Sequence, residues 1–191
     1  MLPTAFRVSL RPPRATDAAE YVALSRRSRR FHAGLAAPAR SPAAYRAWLH
    51  RSQSPQCRCW LIVRDADCVI VGAIELSQIV GGRFRSAYLA YHIGVPFARR
   101  GYMREALTLA LALVFGRLRL HRVEANIQPH NRRSVRLVKG LGFHREGYSP
   151  RYLKIGGRWR DHERWALLAD EWRQSAKERP NMRLKLAGAH K

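Results

Sequence analysis

Residues 121–143 constrain the fold more than any other stretch. They read His-Arg-Val-Glu-Ala-Asn-Ile-Gln-Pro-His-Asn-Arg-Arg-Ser-Val-Arg-Leu-Val-Lys-Gly-Leu-Gly-Phe. The pattern predicts a strand over 121–128, a polar corner at Pro129-His130-Asn131, a short helix over 131–140 and a new strand from Phe143. A corner of this kind can hold a ligand between a strand end and a helix start. The strand that feeds it carries one carboxylate, Glu124, and the corner places Asn131 and Ser134 within one helical turn.

The rest of the chain supplies a setting for that unit. Residues 6–11 alternate and stop at Pro12-Pro13, as a short first strand does. A helix is expected from Thr16-Asp17 to near Arg30, and a second over 43–51, with Ser41 before it and Pro42 at its first position. Strands are expected over 59–64, 69–78 and 86–95, with turns at Asp65-Ala66-Asp67 and Gly81-Gly82, as an antiparallel meander. Residues 102–118 carry Met103, Ala106, Leu107, Ala110, Leu111, Val114 and Leu118 at spacings of three and four, the broad apolar stripe of a buried helix. After residue 143 come two strands around Gly156-Gly157, the second running through Trp165. The order is strand, two helices, three strands, helix, strand, helix, two strands. This is an α/β (α+β) domain over 1–172, followed by a basic, disordered tail over 173–191.

Ala98-Arg99-Arg100-Gly101-Tyr102-Met103-Arg104 joins a predicted strand to the long helix. A helix start presents free backbone N–H groups and a partial positive charge. Gly101 permits close approach of the backbone, and Arg99, Arg100 and Arg104 add charge, so a pyrophosphate is the expected guest.

Composition bounds the alternatives. The chain has 191 residues and a formal charge of +23, from 36 basic and 13 acidic side chains. Only five of the basic residues are Lys, so the excess is arginine. It has two readings: a polyanionic partner such as RNA or the ribosome, or a compositional bias. No apolar run reaches the ~20 residues that a membrane helix needs, and the N-terminus lacks the layout of a secretory signal. Three cysteines without a matching Cys or His pair predict no metal site, and reduced thiols in a cytoplasmic protein.

Five blocks in order resemble the GNAT acetyltransferase superfamily, and more narrowly the ribosomal-protein-alanine N-acetyltransferases. They are Arg100-Gly101-Tyr102-Met103-Arg104-Glu105-Ala106-Leu107, His121-Arg122-Val123-Glu124-Ala125-Asn126, Pro129-His130-Asn131-Arg132-Arg133-Ser134, Leu141-Gly142-Phe143 with Glu146-Gly147-Tyr148, and Trp159-Arg160-Asp161-His162. The resemblance implies a single GNAT-type domain. Its mixed central sheet would have about seven strands and about four flanking helices, with a V-shaped splay between two central strands. Acetyl-CoA would lie in that V as co-substrate, with no metal. Ile93 and Val95 would face the pantetheine, Val95 offering it backbone hydrogen bonds, and a strand N–H near Val95 would hold the oxyanion. Arg99, Arg100, Gly101, Tyr102, Met103 and Arg104 would hold the pyrophosphate, and Asn131 the pantetheine or the corner backbone. Two positions depart from the pattern. Ala98 stands where Gln or Arg is usual, and Val138 stands where many relatives carry a Tyr that acts as general acid.

Acetyl transfer to an amine requires loss of an ammonium proton, stabilisation of an oxyanion and protonation of a thiolate. Glu124 is the first candidate base, Glu75 its rival and His92 a third. Ser134 is the candidate acid. Asp161, Tyr148, Tyr152 and Trp159 are the expected acceptor-side residues. Three functions follow as expectations: acetylation of a protein N-terminus, with a ribosomal protein foremost; acetylation of a small amine such as a polyamine, amino acid or aminoglycoside; or ribosome and RNA binding with secondary catalysis. A cleft rich in carboxylates would favour the second.

Overall fold

A computed structural model describes residues 6–178. The chain runs β1 (Val8–Arg11), α1 (Ala18–Arg27), α2 (Pro42–Ser52), β2 (Arg58–Arg64), β3 (Ile70–Val80), β4 (Ser86–Ile93), α3 (Tyr102–Gly116), β5 (Arg122–Ile127), α4 (Arg132–Lys139), β6 (His144–Ile155), β7 (Arg158–Leu168) and α5 (Ala169–Glu178). The expected order holds through β7. The described residues contain five α-helices, in keeping with the expected flanking set of about four, with α5 extending the chain to Glu178. The expected tail is therefore helical over 173–178, and its remainder lies outside the described residues. Ser41 and Pro42 act as expected: the Ser41 hydroxyl accepts from the Ala44 N–H at 3.2 Å, and Pro42 opens α2.

The seven strands form one sheet in the order β1-β2-β3-β4-β5-β7-β6. β4 and β5 are its one parallel neighbour pair. A core on one face packs α3 against Ile62, Ile74, Leu76, Leu89 and Val123. Leu107 and Leu111 are fully buried there, each contributing roughly 1.5–3 kcal/mol of transfer free energy. The opposite face carries α1 and α2, whose Tyr21, Tyr45 and Trp48 rings pack over Cys59, Leu61 and Ala73.

The sheet opens in the middle. β4 and β5 pair only at Ser86↔Arg122, Ala87↔Val123 and Tyr88↔Glu124. Beyond Tyr88, β4 stays bound to β3 as far as Gly72↔Ile93, while β5 stays bound to β7 as far as Ile127↔Glu163. Each strand keeps its outer partner and loses its inner one, which makes the expected V. Gly72 fixes one wall, because a Cβ there would meet the His92 carbonyl at 2.3 Å. Among the described residues no helix is long and apolar enough to cross a membrane.

Candidate active site in the sheet splay

The V opens into a cleft of about 940 Å³ that reaches both faces of the sheet, within the range of small-molecule and cofactor sites. The Gly94 N–H donates to the Val71 carbonyl at 2.8 Å. The alternation of an antiparallel ladder then turns the backbone groups of Leu89, Tyr91 and Ile93 away from β3 and into the gap. The Ile93 carbonyl already meets His32 Nε2 at 3.0 Å. Val95 does not serve as expected. The strand ends at Ile93, Val95 opens a short 3-10 turn with Pro96, and its N–H donates to Ser28 Oγ at 2.9 Å. The free backbone of the cleft is thus two to six residues upstream of Val95.

At one end of the cleft stands the N-terminus of α3. Its N-cap, Gly101, has φ +86°, and Arg99 also takes a left-handed φ of 62°. Ile93, Arg99, Gly101, Tyr102, Met103, Arg104 and Asn131 line the cleft. Arg100 does not line it, and its carbonyl instead accepts from Arg7 Nη2 at 2.8 Å. Arg104 also ties α3 to the end of α4, through Nη1 to the Gly140 carbonyl at 3.1 Å. An acid, Glu105, sits in the first turn of α3, beside the proposed anion seat. Arg7 grips it with Nε at 2.8 Å and Nη2 at 2.5 Å.

Midway along the cleft two hydroxyls meet. Tyr91 from β4 and Ser134 from α4 share a hydrogen bond of 2.5 Å. Asn131 caps α4 by accepting the Ser134 N–H at 3.3 Å, which fixes the direction of Ser134. Burial pushes the Tyr91 phenol up to about 12, with the Ser134 bond acting in the opposite direction. Val138 is fully buried in the core, so no hydroxyl comes from that turn of α4.

The carboxylates lie elsewhere. Glu124 pairs with Arg122 at 2.8 Å, and Arg122 in turn holds Glu146. Glu75 accepts from the Trp48 indole at 2.8 Å. Asp161 accepts from the Tyr148 hydroxyl at 2.5 Å and from the Arg151 N–H at 2.7 Å, bracing the β6–β7 hairpin. Among the described residues no Asp or Glu lines the cleft. Of the four expected acceptor-side residues only Tyr152 reaches it; Tyr148 and Trp159 are exposed outside. Tyr152 packs on His162 at 5.8 Å. Sequence reasoning missed Tyr91, His32, Asn126, Gln128 and His162, all on the cleft wall. His92 is there too, its ring edge-on to Tyr21 and His32. Burial, with His32 nearby, lowers its pKa to about 3, and burial lowers that of His32 as well. Both rings are therefore neutral near pH 7. Among the described residues no cluster of His, Cys, Asp and Glu could hold a metal ion.

The model of the acetyltransferase (GNAT) domain family matches residues 7–144. The chain is 44% identical over 103 residues to the [ribosomal protein uS5]-alanine N-acetyltransferase of Escherichia coli K12, covering 54% of this chain and 53% of that protein. It thus spans about half the length of the curated relatives it matches. The structure of Mycobacterium smegmatis RimJ in complex with CoA-disulfide superposes with a TM-score of 0.78 at 26% identity, covering 95% of this chain and 88% of that one. A Vibrio cholerae spermidine N-acetyltransferase with CoA and spermine gives 0.75 at 22% identity, over 87% of this chain and 98% of that one, a likeness of fold alone. The chain belongs to the GNAT acetyltransferase family.

Proposed function

We propose that this GNAT-family chain moves an acetyl group from acetyl-CoA to the α-amine of a protein N-terminus, with a ribosomal protein as the first acceptor to test. The observation that carries the choice of acceptor is the cleft wall. It holds Arg99, Arg104, Arg133 and Arg136 but no carboxylate. A polyamine keeps one or more ammonium groups charged while another reacts, and each needs an anionic partner to leave water. An N-terminal amine has a pKa near ~8 and is partly neutral at pH 7. An uncharged or cationic wall favours that neutral, nucleophilic form. The likeness to the uS5-alanine acetyltransferases supports the same class of acceptor.

On this reading the pyrophosphate of acetyl-CoA rests on the first turn of α3, and the pantetheine arm hydrogen-bonds the open edge of β4. The amine nitrogen attacks the thioester carbonyl, and backbone N–H groups at Leu89 or Tyr91 face the oxyanion. When the C–S bond breaks, the thiolate takes a proton from the Ser134 hydroxyl, which Tyr91 orients, and Ser134 recovers a proton from solvent through the Tyr91 hydroxyl. The attacking nitrogen gives up its proton to solvent in the cleft. Glu124 and Glu75, each already held by a partner, are the carboxylates that could assist through water.

A ribosomal acceptor would bring RNA with it, and salt-dependent RNA affinity checks that contact separately. The deciding assay offers acetyl-CoA with Ala- and Ser-starting peptides and, in parallel, spermidine. The expected result is turnover on the peptides with kcat/KM at least tenfold above spermidine. A preference for spermidine sinks the assignment of the acceptor. The Ser134→Ala variant should lose about 10²-fold in kcat with KM nearly unchanged.

A further inference from the structure

Two side-chain carbonyls on the cleft wall are buried and have no hydrogen-bond partner: Asn126 Oδ1 and Gln128 Oε1. Asn126 lies on β5 and Gln128 directly follows it, two residues apart and therefore on one face of the strand. That face also carries Glu124, whose partner across the parallel pairing is Tyr88 of the cleft wall. Gln128 is 5% exposed. Its Nε2 donates to the Gly34 carbonyl at 3.1 Å. That bond fixes the amide's orientation, because a flipped amide would set oxygen against oxygen. The unpaired atom is thus the acceptor, held in place by its own amide nitrogen.

A buried carbonyl left without a donor destabilises a fold, and native proteins rarely keep two together. Two on one strand face, in a cleft without carboxylates, fit a guest that brings N–H donors. We propose that Asn126 and Gln128 hold the acceptor's amino end through their side-chain carbonyls, the α-nitrogen on one and the next peptide N–H on the other. This rests on the acetyl-transfer reading above and adds how the acceptor is gripped. The chemistry suits the reaction. A neutral carbonyl takes an N–H bond from the amine without the charge that would lock it as ammonium. A carboxylate in the same place would bind the cation better and leave it less nucleophilic.

The test compares wild type with Asn126→Leu, Gln128→Leu and Asn126→Asp, using an Ala-starting peptide and acetyl-CoA. Each Leu variant should raise the peptide KM about tenfold and leave the acetyl-CoA KM unchanged. Asn126→Leu should melt no lower than wild type, since it removes an unpaired group. Asn126→Asp should hold the peptide KM at or below wild type but move the acidic limb of kcat/KM to higher pH, by holding the amine protonated. The proposal is overturned if the Leu variants leave the peptide KM unchanged, if both KM values rise together, or if Asn126→Asp leaves the pH limb in place. A wild type that acetylates neither peptides nor small amines overturns the acetyl-transfer reading instead, and this inference falls with it.

Discussion

Arg7 lies 94 residues before Gly101 in the chain, yet the structure makes it a brace for the α3 N-terminus, the proposed anion seat. Its backbone N–H and its Nε both donate to Glu105 at 2.8 Å, and its Nη2 reaches both Glu105 and the Arg100 carbonyl. The guanidinium also lies 4.8 Å from the centre of the Tyr102 ring. Arg7→Gln leaves the Glu105 carboxylate uncompensated in the first turn of α3. That places a negative charge about one helical turn, ~5.4 Å, from the N–H groups offered to pyrophosphate. Two unit charges ~6 Å apart repel by about 0.7–1.4 kcal/mol at effective dielectric constants of ~80 to ~40. A pyrophosphate carries roughly two such charges, and salt screens part of the sum. About 1–2 kcal/mol remains, or a rise of ~5–30-fold in the acetyl-CoA KM. Steady-state kinetics with acetyl-CoA and with acetyl-pantetheine, which lacks the phosphates, isolates the effect. The expected result is a higher KM for acetyl-CoA alone, returned to within ~3-fold of wild type when Glu105→Gln is added. An equal rise for acetyl-pantetheine, or no rescue by the second substitution, refutes the electrostatic account and leaves Arg7 a structural tie.

Three further outcomes follow. Gly101→Ala forces an L residue to φ +86° and sets a Cβ 2.9 Å from Arg7 Nη2. A left-handed Ala costs about 1–2 kcal/mol, so Tm should fall by ~2–8 °C and the acetyl-CoA KM should rise. Tyr91→Phe and Ser134→Ala should be strongly non-additive in kcat, the double variant being little worse than Ser134→Ala; additive losses would separate the two hydroxyls. His92 has a pKa of about 3 in the folded chain against an ordinary 6.5. Between those values the unfolded chain binds more protons, so stability falls as pH drops. At pH 5 the loss is about 1–2 kcal/mol, allowing for the part of the ring that faces the cleft. Melting curves should show His92→Gln less sensitive between pH 7 and 5, and equal slopes for the two proteins would rule the residue out.

What the sequence disclosed was local, and what it hid was tertiary. The α3 stripe, the Gly101 turn and the Asn131 cap could each be read within one or two turns of chain, because periodicity and capping are short-range effects. The Ser134 partner could not. Tyr91 is 43 residues away and meets it only because β4 and α4 converge on the splay. Val95 was misplaced for a similar reason: the Gly94-Val95-Pro96 turn breaks the strand, and a hydroxyl from the end of α1 takes the N–H. Helix α5 was missed because most of its residues are polar, with Ala169 and Trp172 buried on its inner face. The Arg122–Glu124 pair was legible, since residues two apart share a strand face, and reading it would have shown Glu124 already engaged.

The arginine excess takes on a sharper meaning at the cleft. Arginines without carboxylates act in opposite senses on the two substrates. On the proposed function they would attract the phosphates of acetyl-CoA and would lower the pKa of an amine that enters from the other side. A carboxylate base could draw the amine in but would hold its proton, whereas a cationic wall with neutral carbonyl acceptors admits the amine in the form that attacks. The cost is weak attraction for cationic acceptors, and this matters little if the acceptor is held by the peptide that follows its first residue. Added salt should therefore raise the acetyl-CoA KM, with a slope set by the phosphates it carries. It should leave the peptide KM flat or lower it. A peptide KM that climbs with salt would mean that carboxylates outside the cleft, Asp161 foremost, gather the acceptor after all.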